Sequence, residues 1–241
     1  MDIQTYNEIV KTIKSHYGLT TDCLPLLREK FPSIDKNTLS SITMHEYQKR
    51  MKYNHVKSAE VMNMYYNLYK TAVDRGDNPG IILRISQQYD VTPCLVAKLI
   101  LQRHFNDVNS INSDNDSSSQ TNIKTYMRDT TLIQDPSLAY EVYLCTLYDT
   151  QYSPVVETIK TSLGQEYEIK LHKEMLNLGL AFRDEEHLRK YGYDKTPDVK
   201  LEVPIAVDGF VINWVESKAL FGDEDVHREY MRNQYLSYWN R

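Results

Sequence analysis

The sequence predicts an α+β protein, or an α/β one in its second half: an all-helical first part, then a part that alternates helix and strand around a small sheet. Three observations carry this. Residues 1–105 follow the helical period with almost no strand-like alternation, the pattern changes type after Gly164, and Asp208-Gly209 marks a tight hairpin between two alternating runs. With 241 residues, 41% of them hydrophobic and 25% charged, and only 8 Gly and 8 Pro, the composition is that of a globular chain with enough length to bury a core.

In the first part the apolar period predicts helices over 5–17, 22–31, 36–53, 59–72, 80–89 and 92–105. Thr20 or Thr21, Asp35 and Thr92 stand where N-caps belong, as side-chain acceptors for amides that a helix start leaves unpaired. The last two helices, with a tight turn at Tyr89-Asp90-Val91 and Pro93 at the first helical position, read as a helix-turn-helix unit. A weaker copy spans 20–53, and its second helix ends in Lys49, Arg50 and Lys52, the candidate nucleic-acid contacts. The same arrangement also serves ordinary helix packing, and those three cations also suit a solvated C-terminal turn that offsets the helix dipole.

Residues 106–131, rich in Asn, Ser and Asp at their start, read as a flexible linker or insertion, and 132–163 as connecting helices over 136–148 and 154–163. From 164 to 241 the order is a helix over 166–178 stopped by Gly179, a strand at 180–182, a charged helix over 184–192, strands at 198–207 and 210–219, and a helix over 224–240.

Charge and cysteine content narrow the function classes. The net charge of -5 divides unevenly: 14 Lys+Arg against 10 Asp+Glu in 1–105 gives +4, and the other 14 against 23 in 106–241 gives -9. A basic part suits phosphate contacts, and an acidic part suits a solvated surface or a site that gathers carboxylates for a divalent cation. Cys23, Cys94 and Cys145 lack metal-ligand spacing and read as reduced thiols. No segment reads as membrane-spanning, and the first residues lack the pattern of a signal peptide, so the expected location is the nucleus and cytoplasm, with no membrane partner.

The chemistry gathers at the hairpin. Strand alternation puts Phe210, Ile212, Trp214, Glu216 and Lys218 on one face, and Thr196-Pro197-Asp198 opens the partner strand, bringing a second carboxylate to the same end. Two carboxylates and a lysine suit metal-assisted phosphodiester hydrolysis, the carboxylates holding Mg²⁺ and the lysine neutralising developing charge. The same residue types also make an ordinary exposed ion pair. His172, His187 and His227 have no mutual spacing that suggests a site and read as surface residues. Counting outward from the turn conflicts with the site, because a regular ladder pairs residues whose numbers sum to 417 and turns Asp198 away from Glu216. An odd-length irregularity is therefore expected, a bulge near Pro204 that sets Asp198 opposite Lys218.

At these residues a resemblance becomes specific. The pattern resembles the PD-(D/E)xK nuclease superfamily, and the stretch TPDVKLEVPIAVDGFVINWVESKALFGDE is similar to the codanin-interacting nuclease family. The resemblance implies helix-turn-helix modules followed by a restriction-endonuclease-like core with a small central mixed sheet, similar to Holliday-junction resolvases. It implies Asp198 and Glu216 as ligands of Mg²⁺ (or Mn²⁺), the Ser217 carbonyl as a third ligand, and Lys218 as the catalytic lysine. It also implies a glutamate on the first core helix, for which Glu168 is the candidate and Glu166 the fallback. Gln234 and Tyr238 resemble polar positions that face the site. DNA, branched or otherwise structured, is the implied substrate, with a codanin-like protein as partner and a homodimer as the resolvase-type assembly. A catalytically silent scaffold for that partner is the alternative. The family's pattern continues past the last helix into a Phe-Gly-Pro-Gly turn and an apolar strand, whereas this sequence stops at Arg241, so a truncated core is expected.

Overall fold

The computed structural model describes residues 1–109 and 119–238. The chain divides into two compact units, Met1–Thr158 and Ile159–Arg241.

The first unit is helical: α1 (Ile3–Ser15), α2 (Thr20–Lys30), α3 (Lys36–Asn54), α4 (Ala59–Asp74), α5 (Ile81–Gln88), α6 (Pro93–Asn109), α7 (Ser119–Arg128), a 3-10 turn (Thr130–Leu132) and α8 (Pro136–Tyr148). The six helices expected in 1–105 form within a few residues of their expected bounds. The pair α5–α6 also forms with its tight turn, where Asp90 takes φ +50°.

What α6 does differs from the expectation. Cys94, Val96, Ala97, Ile100 and Leu101 are fully buried, and Leu95 and Leu99 nearly so, because α4, α5 and α8 pack around it with Tyr65, Tyr69, Ile82, Leu138 and Val142. Its first turn, residues 93–97, is buried on every side, the mark of a central core helix, and Lys98 is the first half-exposed residue along it.

The caps of this core come from far along the chain. Thr92, the expected N-cap of α6, leaves its Oγ1 buried without a hydrogen-bond partner among the described residues. The Cys94 amide donates instead to Asp149 Oδ2 at 2.9 Å, while the amides of Gln151 and Tyr152 donate to Asp149 Oδ1 at 2.7 and 2.8 Å. Likewise the Gly80 and Ile82 amides at the start of α5 donate to the buried carboxylate of Glu141 on α8, at 2.7 and 3.0 Å. Buried carboxylates satisfy orphan amides and the positive end of the helix dipole together. Of the other expected caps, Asp35 accepts from the Asn37 amide at 2.8 Å, whereas α2 begins at Thr20 with no side-chain cap.

Two further expectations need correction. The stretch read as linker includes α7, whose Ile123 and Met127 are buried in the core, and only 110–118 lie outside the described residues. Polar residues at its start hid this short amphipathic helix. The helices expected over 154–163 and 166–178 are one continuous helix, α9 (Pro154–Asn177). Gly164 inside it costs about 1 kcal/mol relative to alanine, too little to stop a long helix.

The second unit contains the rest of α9, β1 (Phe182–Asp184), α10 (Glu185–Lys190), β2 (Val199–Val207), β3 (Phe210–Val215), α11 (Glu224–Asn233) and a 3-10 turn (Tyr235–Tyr238). The sheet order is β1-β2-β3 and every pairing is antiparallel, where a mixed sheet was expected. A hairpin and a short strand returning beside it provide no parallel crossover. Asp208 and Gly209 take φ +49° and +83°, the positive pair that a two-residue turn matched to strand twist requires.

The register shows the expected irregularity. Near the turn Val207 pairs with Phe210 and Ile205 with Ile212, whereas beyond it Lys200 pairs with Trp214 and Val199 with Val215. Paired numbers thus fall from a sum of 417 to 414 between Lys200 and Ile205, so β2 carries three extra residues where one was expected. Pro204 lies inside this stretch. An odd shift reverses the face, which is what the site needs.

Candidate active site

The shifted ladder ends at Val199 paired with Val215, and one residue beyond each strand Asp198 and Glu216 meet through a hydrogen bond from the Asp198 amide to Glu216, rather than Asp198 meeting Lys218 as expected. One face of β2 is apolar at this end, with Val199 fully buried and Leu201 5% exposed.

At the open end of the hairpin the two carboxylates interlock through backbone. The Ser217 amide donates to Asp198 Oδ2 at 2.6 Å, and the Asp198 amide donates to Glu216 Oε2 at 3.3 Å. Lys218 Nζ donates to Glu216 Oε1 at 2.6 Å, with the Glu216 side chain only 5% exposed and that of Lys218 27%. Asp198, Glu216, Ser217 and Lys218 therefore meet in one small polar cluster. Strand β3 ends at Val215, so the last three of these sit where the ladder has stopped and backbone groups are free to bind side chains.

Glu168 belongs to the same surroundings. The half-buried positions of α9 in this unit, Lys160, Gly164, Glu168, Leu171, His172 and Met175, recur at helical spacing and define its inward face. The charge of Glu168 is among those that raise the Asp198 pKa. Glu166, the fallback, points elsewhere and pairs with Lys170 at 2.7 Å on the exposed side.

The electrostatics follow from crowding. Burial, joined by the charges of Glu168 and Glu185, pushes Asp198 above the usual carboxylate range, against the opposing pull of the Ser217 amide and Lys218. For Lys218, burial favours the neutral amine, but the hydrogen bond and charge of Glu216, with Asp198 and Tyr230 adding, outweigh it and raise the pKa above the usual lysine value. Its ammonium form is secure at neutral pH.

Gln234 and Tyr238 also reach the cluster. Gln234 Nε2 donates to Glu216 Oε1 at 2.6 Å and lies 2.8 Å from Tyr238 Oη as a second acceptor. The helix expected over 224–240 ends instead at Asn233, and the break at Gln234 (φ -130°, ψ -62°) precedes the 3-10 turn; 239–241 lie outside the described residues.

Two residues were missed by the sequence reading. His172, read as a surface residue, places Nε2 3.2 Å from the Asp198 carbonyl oxygen and its ring 5.3 Å from that of Phe182. Its spacing of four from Glu168 was the available signal. Tyr230 sets its ring under Lys218 Nζ at 5.1 Å, a cation–π contact that nothing local announces.

Of the basic trio of α3, Lys52 is exposed, Lys49 half-buried and Arg50 the most enclosed. Arg50 turns inward and donates to the carbonyls of Ile13 and His16 at 2.9 and 3.1 Å and to Asp90 at 3.1 Å, closing the end of α1 against the α5–α6 turn. Lys49 pairs with Glu46 at 3.4 Å. Among the described residues, no helix is long and apolar enough to cross a membrane.

Residues 134–241 match the family described as "Protein of unknown function TPD sequence-motif", a stretch that includes Thr196-Pro197-Asp198. Curated relatives named "CDAN1-interacting nuclease 1" cover nearly the whole chain. The protein of Xenopus laevis is 42% identical over 98% of this chain and 77% of its own length. The human protein is 40% identical over 98% and 83%, and the Danio rerio protein 38% identical over 92% and 73%. No solved structure matches.

Proposed function

Since this chain belongs to the family of the CDAN1-interacting nuclease 1 proteins, we propose that it is a divalent-metal-dependent nuclease of the PD-(D/E)xK kind, hydrolysing phosphodiester bonds in DNA, structured DNA included. The carrying observation is the meeting of Asp198, Glu216, Ser217 and Lys218 at the end of the hairpin.

The donor set fits a hard divalent cation. It offers carboxylate and peptide oxygens, and burial, with the charges of Glu168 and Glu185, makes the ionised form of Asp198 costly, a cost that a bound cation would relieve. Asp198 and Glu216 would hold Mg²⁺ or Mn²⁺, with the Ser217 carbonyl as a third donor and Glu168 beside them. When bound, the ion supplies Lewis-acid polarisation and lowers the pKa of water. The chain's own groups do the rest. The Ser217 amide fixes Asp198, Gln234 fixes Glu216, and the Lys218 ammonium neutralises charge that develops on the phosphate or orients the attacking water.

The relatives' printed name supports a codanin-like partner as well, and the resolvase resemblance supports a homodimer. Cys23, Cys94 and Cys145 are free and buried, which supports a reducing location, nucleus and cytoplasm.

The test is cleavage of labelled linear, forked, branched and RNA substrates by the whole chain, in Mg²⁺ and in EDTA. Cleavage of DNA that requires the metal is expected. Binding to a codanin-like protein with no cleavage of any substrate would establish the scaffold reading in its place.

A further inference from the structure

Beside the active site lies a cavity of about 190 Å³ that the nuclease reading does not use. Tyr193, Trp214 and Tyr238 give it aromatic walls, and Pro197, Lys195 and Lys200 join its lining. It adjoins the carboxylates by construction. Pro197 precedes Asp198, Trp214 is two residues before Glu216, and Tyr238 is joined to Glu216 through Gln234.

We infer that this cavity seats one unpaired nucleobase next to the scissile phosphate, so that the preferred DNA is single-stranded at the cut. The identity of the neighbouring groove comes from the nuclease reading proposed above, on which this seat rests.

Size and chemistry argue together. The volume is below the roughly 300–1,000 Å³ typical of sites for drug-sized ligands, which suits a single planar ring system and excludes a base pair. Trp214 and Tyr238 meet edge to face, with centroids 4.7 Å apart at 80°, so the two rings form a corner against which a flat ring can lie. Tyr193 is 45% exposed, an aromatic ring partly open to solvent, and Lys200 Nζ lies 4.8 Å from its centroid. Stacking rings with ammonium groups between them are the components of single-strand recognition: rings take bases of any sequence, and cations follow the backbone. Asp194 adds one carboxylate to the lining, so the local balance is one net positive charge from two lysines and one aspartate.

The test uses the whole chain in EDTA and a forked duplex with thymidine arms, compared with the same fork carrying abasic residues beside the junction, binding being read by fluorescence anisotropy. The base-bearing fork should bind about 10-fold tighter, within the roughly 5- to 150-fold that one base–aromatic stack supplies. Tyr193→Ala should bring that ratio down to about 3 or less. Lys200→Gln should lower the slope of log affinity against log salt by about 0.7, the share of one single-strand phosphate contact. Equal affinity for the two forks, or absence of binding to either at low salt, would overturn the seat. Cleavage of the same substrates in Mg²⁺ is read separately: forks that are discriminated but never cut would remove the nuclease reading and overturn the placement beside a scissile phosphate, leaving only an unpaired-base site, whereas forks cut without discrimination would overturn the seat and leave the nuclease reading.

Discussion

Glu216 accepts from Lys218, Gln234 and the Asp198 amide while almost wholly buried, so its anion is held by hydrogen bonds and a paired cation in place of water. Asp198 is in the opposite position, with an anion that its surroundings disfavour. The sign follows from linkage. With its folded pKa raised, the folded state keeps the proton after the unfolded chain has lost it. Asp198 therefore lowers stability as pH rises from the ordinary aspartate value through the raised folded value. We expect Asp198→Asn to melt at a higher temperature than the natural chain near neutral pH without divalent metal, and to lose cleavage; a lower melting temperature would contradict this. For Lys218 the stability gained is present below the ordinary lysine value and is lost as pH rises through its raised folded value, so denaturation at neutral pH should not detect its titration. Arg50 belongs with structure. Arg50→Ala should cost about 1–3 kcal/mol in chemical denaturation, because it removes a largely buried guanidinium's hydrogen bonds to the Ile13 and His16 carbonyls and its ion pair with Asp90, whose carboxylate keeps Asn54 as a donor. Full stability with weakened DNA binding would instead support the phosphate-contact reading.

Among the elements, the hairpin was the most legible in the sequence because its signals are local. Asp208-Gly209 specifies the turn, and the position of Asp198 relative to Glu216 required an odd register shift, which the chain has near Pro204. Gly209→Ala should destabilise by roughly 1–2 kcal/mol through its positive φ alone, since a methyl group there meets no neighbour; an unchanged denaturation midpoint would show that the turn bears little strain. Illegible were the contacts made across many residues. Thr92 looks like a cap by position, yet Asp149 does that work from 55 residues away from Cys94. Asp149→Ala removes the acceptor of three amides and should cost about 3 kcal/mol or more by urea denaturation. A loss under about 1 kcal/mol would mean that water replaces it. The break at Gln234 and the Tyr230 ring beneath Lys218 were hidden for the same reason, as tertiary contacts without a local pattern.

Across the whole molecule, the sequence set a basic helical part over 1–105, connecting helices over 132–163 and the part holding the site from 164, whereas the two compact units divide after Thr158, inside the connecting stretch. The difference is physical. The stretch read as connecting helices supplies Leu138, Val142 and Glu141 to the first core, and an apolar helix between two parts cannot be assigned to either by its own pattern. Site chemistry was more legible than domain limits because Glu216 and Lys218 are two residues apart, just past the end of β3, while burial in a shared core depends on partners anywhere in the chain. The central claim is that this cluster cuts DNA. The most direct measurement is the rate at which the whole chain cleaves labelled DNA in Mg²⁺, compared with Glu216→Ala and Lys218→Ala proteins shown by melting to be folded. The account predicts that each substitution lowers the rate by about 100-fold or more, the scale of losing one charge-stabilising group, and that EDTA abolishes what remains. Folded variants that cut DNA as fast as the natural chain would contradict it.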